Sequence, residues 1–154
     1  MVVYTTEHHN LTSIFIHFTL FDYLFYTFYF DYRQYKLKIS VYVDGSGGSN
    51  GGFGFFVKET GESFYEKKSE ITNNQAEYMA IISALKKYVD TDDEITIFSD
   101  SKNTVNQLNH EFAINNEKLR DLARESWLII GKFSNLSIVW IPRKENLAGK
   151  MLGS

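Results

Sequence analysis

Over residues 37–154 the apolar and polar positions change period from two to about 3.6 and back, the rhythm of an α/β chain. Ile39, Val41 and Val43 alternate with Ser40, Tyr42 and Asp44, which predicts a strand over 37–44 ending in a carboxylate. The stretch that follows is rich in Gly, which allows positive φ and close backbone approach. Gly51 and Gly52 lead into a returning strand over 53–59, and a turn at 59–62 leads to a more polar third strand over 63–69, suited to a sheet edge. Thr72 and Gln75 have the spacing of a capping box, so a helix is expected over 73–89, with Ala76, Ala80, Ile81, Ala84, Leu85 and Tyr88 inward. Residues 94–100 read as a central strand that again ends in a carboxylate, Asp100. A helix from Ser101 to about 108, a second over about 116–132, a strand over 137–141 stopped by Pro142 and a short helical stretch over 145–152 complete the pattern. There is no internal repeat.

Residues 1–36 break this rhythm. Leu11 to Phe30 hold nine Phe or Tyr and one formal charge, Asp22. The length suits a membrane span, but Asp22 lies mid-stretch and the aromatics run through the centre instead of forming belts. A signal peptide is disfavoured by the absence of a basic start and a small-residue cleavage site. Three readings stand: an extension translated from A/T-rich sequence upstream of the true start, a membrane or partner-binding segment, or an extra packed element. The expected organisation is an aromatic-rich extension over 1–36 and one domain over 37–154, long enough for a real core.

The net charge of −3 and a pI near 5.8 argue against a protein that coats nucleic acid non-specifically. They allow a nuclease whose acidic site is offset by a local basic patch. The chain has no cysteine, so thiolate nucleophiles, thiolate metal sites and disulfides are excluded. Any metal must take oxygen or imidazole ligands. A reducing cytoplasm fits this composition, and a cytoplasmic location is expected.

A right-handed crossover from the first three strands into the fourth would set strands one and four side by side and parallel. Asp44 and Asp100 would then meet at the carboxyl edge, where open α/β sheets place their sites, and Glu77 could lean over it from the helix. Each acid has a plain alternative: a turn residue for Asp44, a helix-dipole acid for Glu77, an N-cap for Asp100. Together, three like charges would raise one another's pKa unless a cation sat among them. Hard oxygen donors point to Mg²⁺ or Mn²⁺, and two such ions about 4 Å apart can activate water and stabilise a leaving oxygen at a phosphodiester.

The stretches YVDGS (42–46), TNNQAEY (72–78), FSDS (98–101) and WIPRKENLAG (140–149) resemble, in order and spacing, the type 1 ribonuclease H family across about residues 37–153. The resemblance implies an α/β fold with a five-stranded mixed sheet in the order 3-2-1-4-5 and helices on both faces. It implies metal-dependent hydrolysis of the RNA strand of RNA/DNA hybrids with two Mg²⁺ or Mn²⁺ ions, held by Asp44, Glu77 and Asp100. It assigns Gly45, Ser46, Asn50, Asn73 and Asn74 to the minor groove, where 2′-hydroxyls distinguish RNA. Thr72 and Asn115 would fall in a pocket for a DNA phosphate, since a helix N-terminus attracts phosphate.

Two departures stand beside that resemblance. Where the family places a fourth acid after an Asn-x-x-Ala stretch, this chain has Asn146-Leu147-Ala148-Gly149, and Gly149 offers no ligand. Glu145, one helical turn earlier, is the candidate substitute, with water the alternative. The loop before the last helix often holds a His in the family; here it reads Pro142-Arg143-Lys144-Glu145, and His110 is the only histidine after residue 36. The long basic insertion of some members is also missing, leaving Arg143, Lys144 and Lys150 as a substrate-facing or merely solvated basic end. The expectations are a monomeric hybrid nuclease with no small-molecule cofactor, or a weakened or inactive hybrid-binding module. Membrane contact arises only if residues 1–36 are genuine and functional.

Overall fold

The computed structural model describes residues 35–152; the readings of the aromatic stretch fall on residues outside these. The elements are β1 (Lys38–Ser46), β2 (Gly52–Val57), β3 (Ser63–Lys67), α1 (Asn73–Tyr88), β4 (Glu94–Ser99), α2 (Lys102–Leu108), α3 (Glu117–Ile130), β5 (Leu136–Trp140) and α4 (Leu147–Leu152). A 3₁₀ turn, Arg143–Glu145, precedes α4. The five strands form one sheet in the order β3-β2-β1-β4-β5. β1 runs antiparallel to β2 and parallel to β4, so the crossover does place the two carboxylate-bearing strands together.

The alternation of β1 is visible in its burial. Val41 and Val43 are fully buried with Val57 of β2, Ile95 and Ile97 of β4, and Ile81 and Leu85 of α1. Truncating Ile81 to Ala in this close-packed layer would cost about 2–5 kcal/mol. Tyr42 and Phe98 lie at the half-buried positions of the same two strands and stack with ring centroids 5.0 Å apart. α1 is anchored by the expected capping box: the Gln75 amide N–H donates to Thr72 Oγ1 and the Thr72 N–H donates to Gln75 Oε1. Its buried face also takes in Tyr78 and Ile82, while Tyr88 stays half-buried at its end.

Several boundaries differ from the sequence expectation: β2 runs from Gly52 to Val57 and β3 stops at Lys67, each ending two residues short, and three further differences bear on the site or the sheet edge. β1 continues two residues past Asp44, because Gly45 and Ser46 pair with Phe53 and Gly52. This extension needs Gly45: an added Cβ would run into the Ala76 backbone and stand 2.7 Å from the Glu77 nitrogen. The closing helical stretch divides in two, with Asn146 extended between the 3₁₀ turn and α4. β5 begins at Leu136 and ends at Trp140, one residue earlier than the pattern suggested. Among the described residues no helix is long and apolar enough to cross a membrane.

Candidate active site

The close approach at Gly45 brings the end of β1 against the first turn of α1, and Asn73 fixes it by accepting the Gly47 N–H on its side-chain oxygen at 2.7 Å. Asp44 sits buried two residues before the end of β1. Glu77 follows one turn into α1, and Asp100 stands directly after β4. One carboxylate oxygen from each of Asp44, Glu77 and Asp100 lies within 4.8 Å of the other two. Three separate strand and helix signals thus meet at one point.

The electrostatics there are strained. Glu77 is half-buried as a residue, but its Oε2 is shut off from solvent and makes no hydrogen bond. Burial first, then the charges of Asp44 and Asp100, push the Glu77 carboxyl up to about 9, while Arg143 pulls in the opposite direction. An orphaned buried oxygen costs free energy unless something completes it. Hard oxygen donors converging from three elements suit a divalent cation, so these residues fit a metal ion.

Asp100 has two supports that its sequence context does not announce. The fully buried Asn146 donates its side-chain amide to Asp100 Oδ1 at 3.1 Å and to the Val43 carbonyl at 2.9 Å. Its Oδ1 accepts the Ala148 N–H at 3.1 Å, starting α4. One side chain therefore ties β1, the residue after β4, and α4. In the sequence Asn146 stands out only as the first residue of the Asn-x-x-Ala stretch, with no sign of these partners. The second support is Trp140, whose indole N–H donates to the Asp100 carbonyl at 3.2 Å, with the Lys102 ammonium 5.6 Å from the ring centroid.

The remaining sequence candidates are distributed as follows. Ser46, Asn50, Thr72, Asn73 and Asn74 are exposed along the β1–β2 turn and the start of α1. Asn115 is exposed before α3, but the cap of that helix is Asn116, whose Oδ1 accepts the Leu119 N–H. Arg143 is exposed yet near enough to Glu77 to act on its proton affinity. Glu145 is exposed in the 3₁₀ turn and lies outside the converging group of three acids. Gly149 is half-buried in α4, which packs against β1 and β2. Asp100 is not the cap of α2: that position belongs to Ser101, which makes no capping side-chain bond.

A family model described as reverse transcriptase-like matches residues 49–153, taking in Glu77 and Asp100 and beginning just after Asp44. The chain belongs to the ribonuclease H-like family. This ribonuclease H-like chain is 27% identical to the RNase H1 of the halophilic archaeon Halobacterium salinarum NRC-1, over 75% of this chain and 94% of that one, with a TM-score of 0.68. It is 25% identical to LC11-RNase H1, solved in complex with an RNA/DNA hybrid, over 75% of this chain and 99% of that one, with a TM-score of 0.64. Among curated proteins it matches EbsB of Enterococcus faecalis, whose name marks it as a candidate hydrolase, at 29% identity over 74% of this chain and 90% of EbsB. The five-stranded sheet with its 3-2-1-4-5 order is the fold these ribonuclease H domains share.

Proposed function

We propose that the chain is a metal-dependent endoribonuclease that hydrolyses the RNA strand of RNA/DNA hybrids. The observation that carries this reading is the convergence of Asp44, Glu77 and Asp100, with Glu77 Oε2 buried and unsatisfied among them. These three residues would hold Mg²⁺ or Mn²⁺. When bound, such ions supply an activated water and charge stabilisation at the leaving oxygen of a phosphodiester. The chain's own contribution is placement. β1 and the end of β4 fix two acids in the core layer, Asn146 orients the Asp100 carboxylate, and the Arg143 charge favours the ionised form of Glu77. Gly45, Ser46, Asn50, Asn73 and Asn74 would line the minor groove, and Thr72 and Asn115 would meet a phosphate, with Arg143 adding positive charge at the rim. The complex of LC11-RNase H1 with a hybrid supports this choice of substrate. A monomer acting in the cytoplasm completes the reading.

The test is digestion of a labelled RNA/DNA hybrid with Mg²⁺ or Mn²⁺, beside single-stranded RNA and duplex DNA. RNA-strand cleavage confined to the hybrid is expected; equal cleavage of all three would contradict the substrate assignment. Gly149 favours a second reading, a hybrid-binding module weakened in catalysis by the lack of a fourth acid. Tight hybrid binding with no cleavage in either ion would select it.

A further inference from the structure

β3 closes one side of the sheet, and among the described residues no strand pairs on its outer edge. All five of its residues are exposed, Phe64 and Tyr65 among them. The Val57 N–H donates to the Glu62 carbonyl and the Lys68 N–H to the Gly51 carbonyl, so the even-numbered residues carry the ladder to β2. Ser63, Tyr65 and Lys67 therefore turn their main-chain N–H and C=O groups outward. An edge of that kind is a template for another strand.

The side chains of β3 divide between the two faces of the sheet. Phe64 lies on the α1 side, stacked on Phe55 with ring centroids 5.4 Å apart. Together with Glu66, Met79, Ile82 and Leu122 it borders a cavity of about 420 Å³ between β3 and the helices α1 and α3. Tyr65 lies on the other face, over Gly52, where an added Cβ would run into its ring. Both rings are thus seated on β2, yet they stay 38% and 49% exposed. Rings already fixed in this way lose little freedom when a partner covers them.

Charge decides which strand fits this edge. An antiparallel copy of β3 pairs every outward group in the register that sets Tyr65 against Tyr65 and Ser63 against Lys67. On the α1 side that register sets Glu62 against Lys68 on both sides of the axis, and the two Phe64 rings on a diagonal within reach of each other. A shift of two residues one way would bring Glu66 against Glu66, and the other way Glu62 against Glu66, like charges in both cases. A shift of one residue would set outward groups against inward ones. The edge is therefore complementary to itself in a single register. Pairing about a twofold axis also occupies β3 in both copies, so it closes at two.

We propose that β3 is a self-association edge: two copies of the chain pair their β3 strands antiparallel about a twofold axis at Tyr65, joining two sheets into one. Contact through one short strand is weak, with a dissociation constant on the order of 10–100 μM, so single copies prevail in dilute solution. The pairing is independent of the nuclease reading, since it uses none of the carboxylates. The test is sedimentation velocity of the full chain from about 5 to about 500 μM, a range that brackets that constant. Three variants are compared with the parent. Tyr65→Pro removes an outward N–H while leaving the ladder to β2 intact, and should weaken the pair by at least about tenfold. Lys68→Glu and Glu62→Lys each set like charges across the axis and should weaken it by about fivefold to tenfold. An equimolar mixture of these two charge variants restores opposite charges and should associate within about twofold of the parent. That rescue reads the register without relying on the proline variant, whose fold is checked by thermal melting. A parent that stays single at about 500 μM overturns the proposal. Association that all three variants leave unchanged also overturns it, since the contact then lies elsewhere in the chain. A mixture that pairs no better than either charge variant alone overturns it as well.

Discussion

The acidic edge and the C-terminal segment that closes over it are built in opposite ways. Asp44, Glu77 and Asp100 hang from β1, α1 and the end of β4, elements whose inner faces form the core layer. Residues 142–150 form a 3₁₀ turn and the start of a short helix, with Arg143, Lys144, Glu145 and Lys150 exposed and Asn146 and Ala148 buried. The first region gains its geometry from core packing. The second is held to the first by the Asn146 side chain, which reaches Val43 and Asp100. The geometry that suits a metal ion thus resides in the core, while the closing segment carries Gly149 where the sequence resemblance implies an acid.

The largest expected effect lies in the first region. Asp44→Asn or Asp100→Asn should lower hybrid cleavage on the order of a thousandfold or more. Hybrid affinity and thermal stability should stay close to the parent's. Parental cleavage rates in either variant would remove the distinction between the regions. Next comes the link. Asn146→Ala leaves the Val43 carbonyl and the Ala148 N–H without their buried partner, and should cost about 2–4 kcal/mol of stability. Urea unfolding measures this directly, and an unchanged midpoint would mean that the closing segment is held by other contacts.

Glu77 sharpens the comparison through pH. Its folded pKa of about 9 lies above the ordinary 4.5, so the native state keeps a proton that the unfolded chain gives up. In chelator, stability from this group is therefore greatest at acid pH and declines as pH rises from the usual carboxylate range towards 9. Thermal melts of Glu77→Gln should lose that slope and exceed the parent's at about pH 8. A parental slope retained in the variant would assign it to another group.

Smaller effects are expected in the second region. Gly149→Asp, placing an acid where the sequence resemblance implies one, should lower the metal concentration for half-maximal cleavage by about threefold to tenfold. Glu145→Gln separates the two ways of filling the vacant ligand role. A severe loss would assign that role to Glu145, and a mild one to water; the exposed 3₁₀ position favours the mild result. No change in metal dependence with either substitution would show that the segment takes no part. The smallest effect should come from a chain beginning at Tyr35, folded and as active as the whole, since every motif lies beyond it. Loss of folding would mean that the aromatic stretch packs into the domain, and vesicle binding by the full chain alone would mark it as an anchor.

Much of the first region was legible in residue order. The 2-to-3.6 change of period located the elements, the Thr72–Gln75 spacing marked the start of α1, and two apolar strands each followed by Asp indicated the shared edge. What stayed hidden depends on contacts distant in sequence. Asn146 read only as part of the Asn-x-x-Ala stretch, yet its amide acts 103 residues away on Val43 and 46 residues away on Asp100. β1 outran its expected end because Gly45 and Ser46 found partners in β2, which glycine-rich sequence does not advertise. His110 looked like a lone histidine, and only its positive φ reveals its ring stack on Trp127 at the α2–α3 corner.

The most direct measurement follows RNA-strand cleavage of a labelled hybrid by the parent and by Asp44→Asn, across a titration of Mn²⁺ and with chelator. The account predicts parental cleavage that rises with Mn²⁺, stops with chelator and is lost in the variant. Cleavage that persists in chelator, or that Asp44→Asn supports at the parental rate, would contradict it.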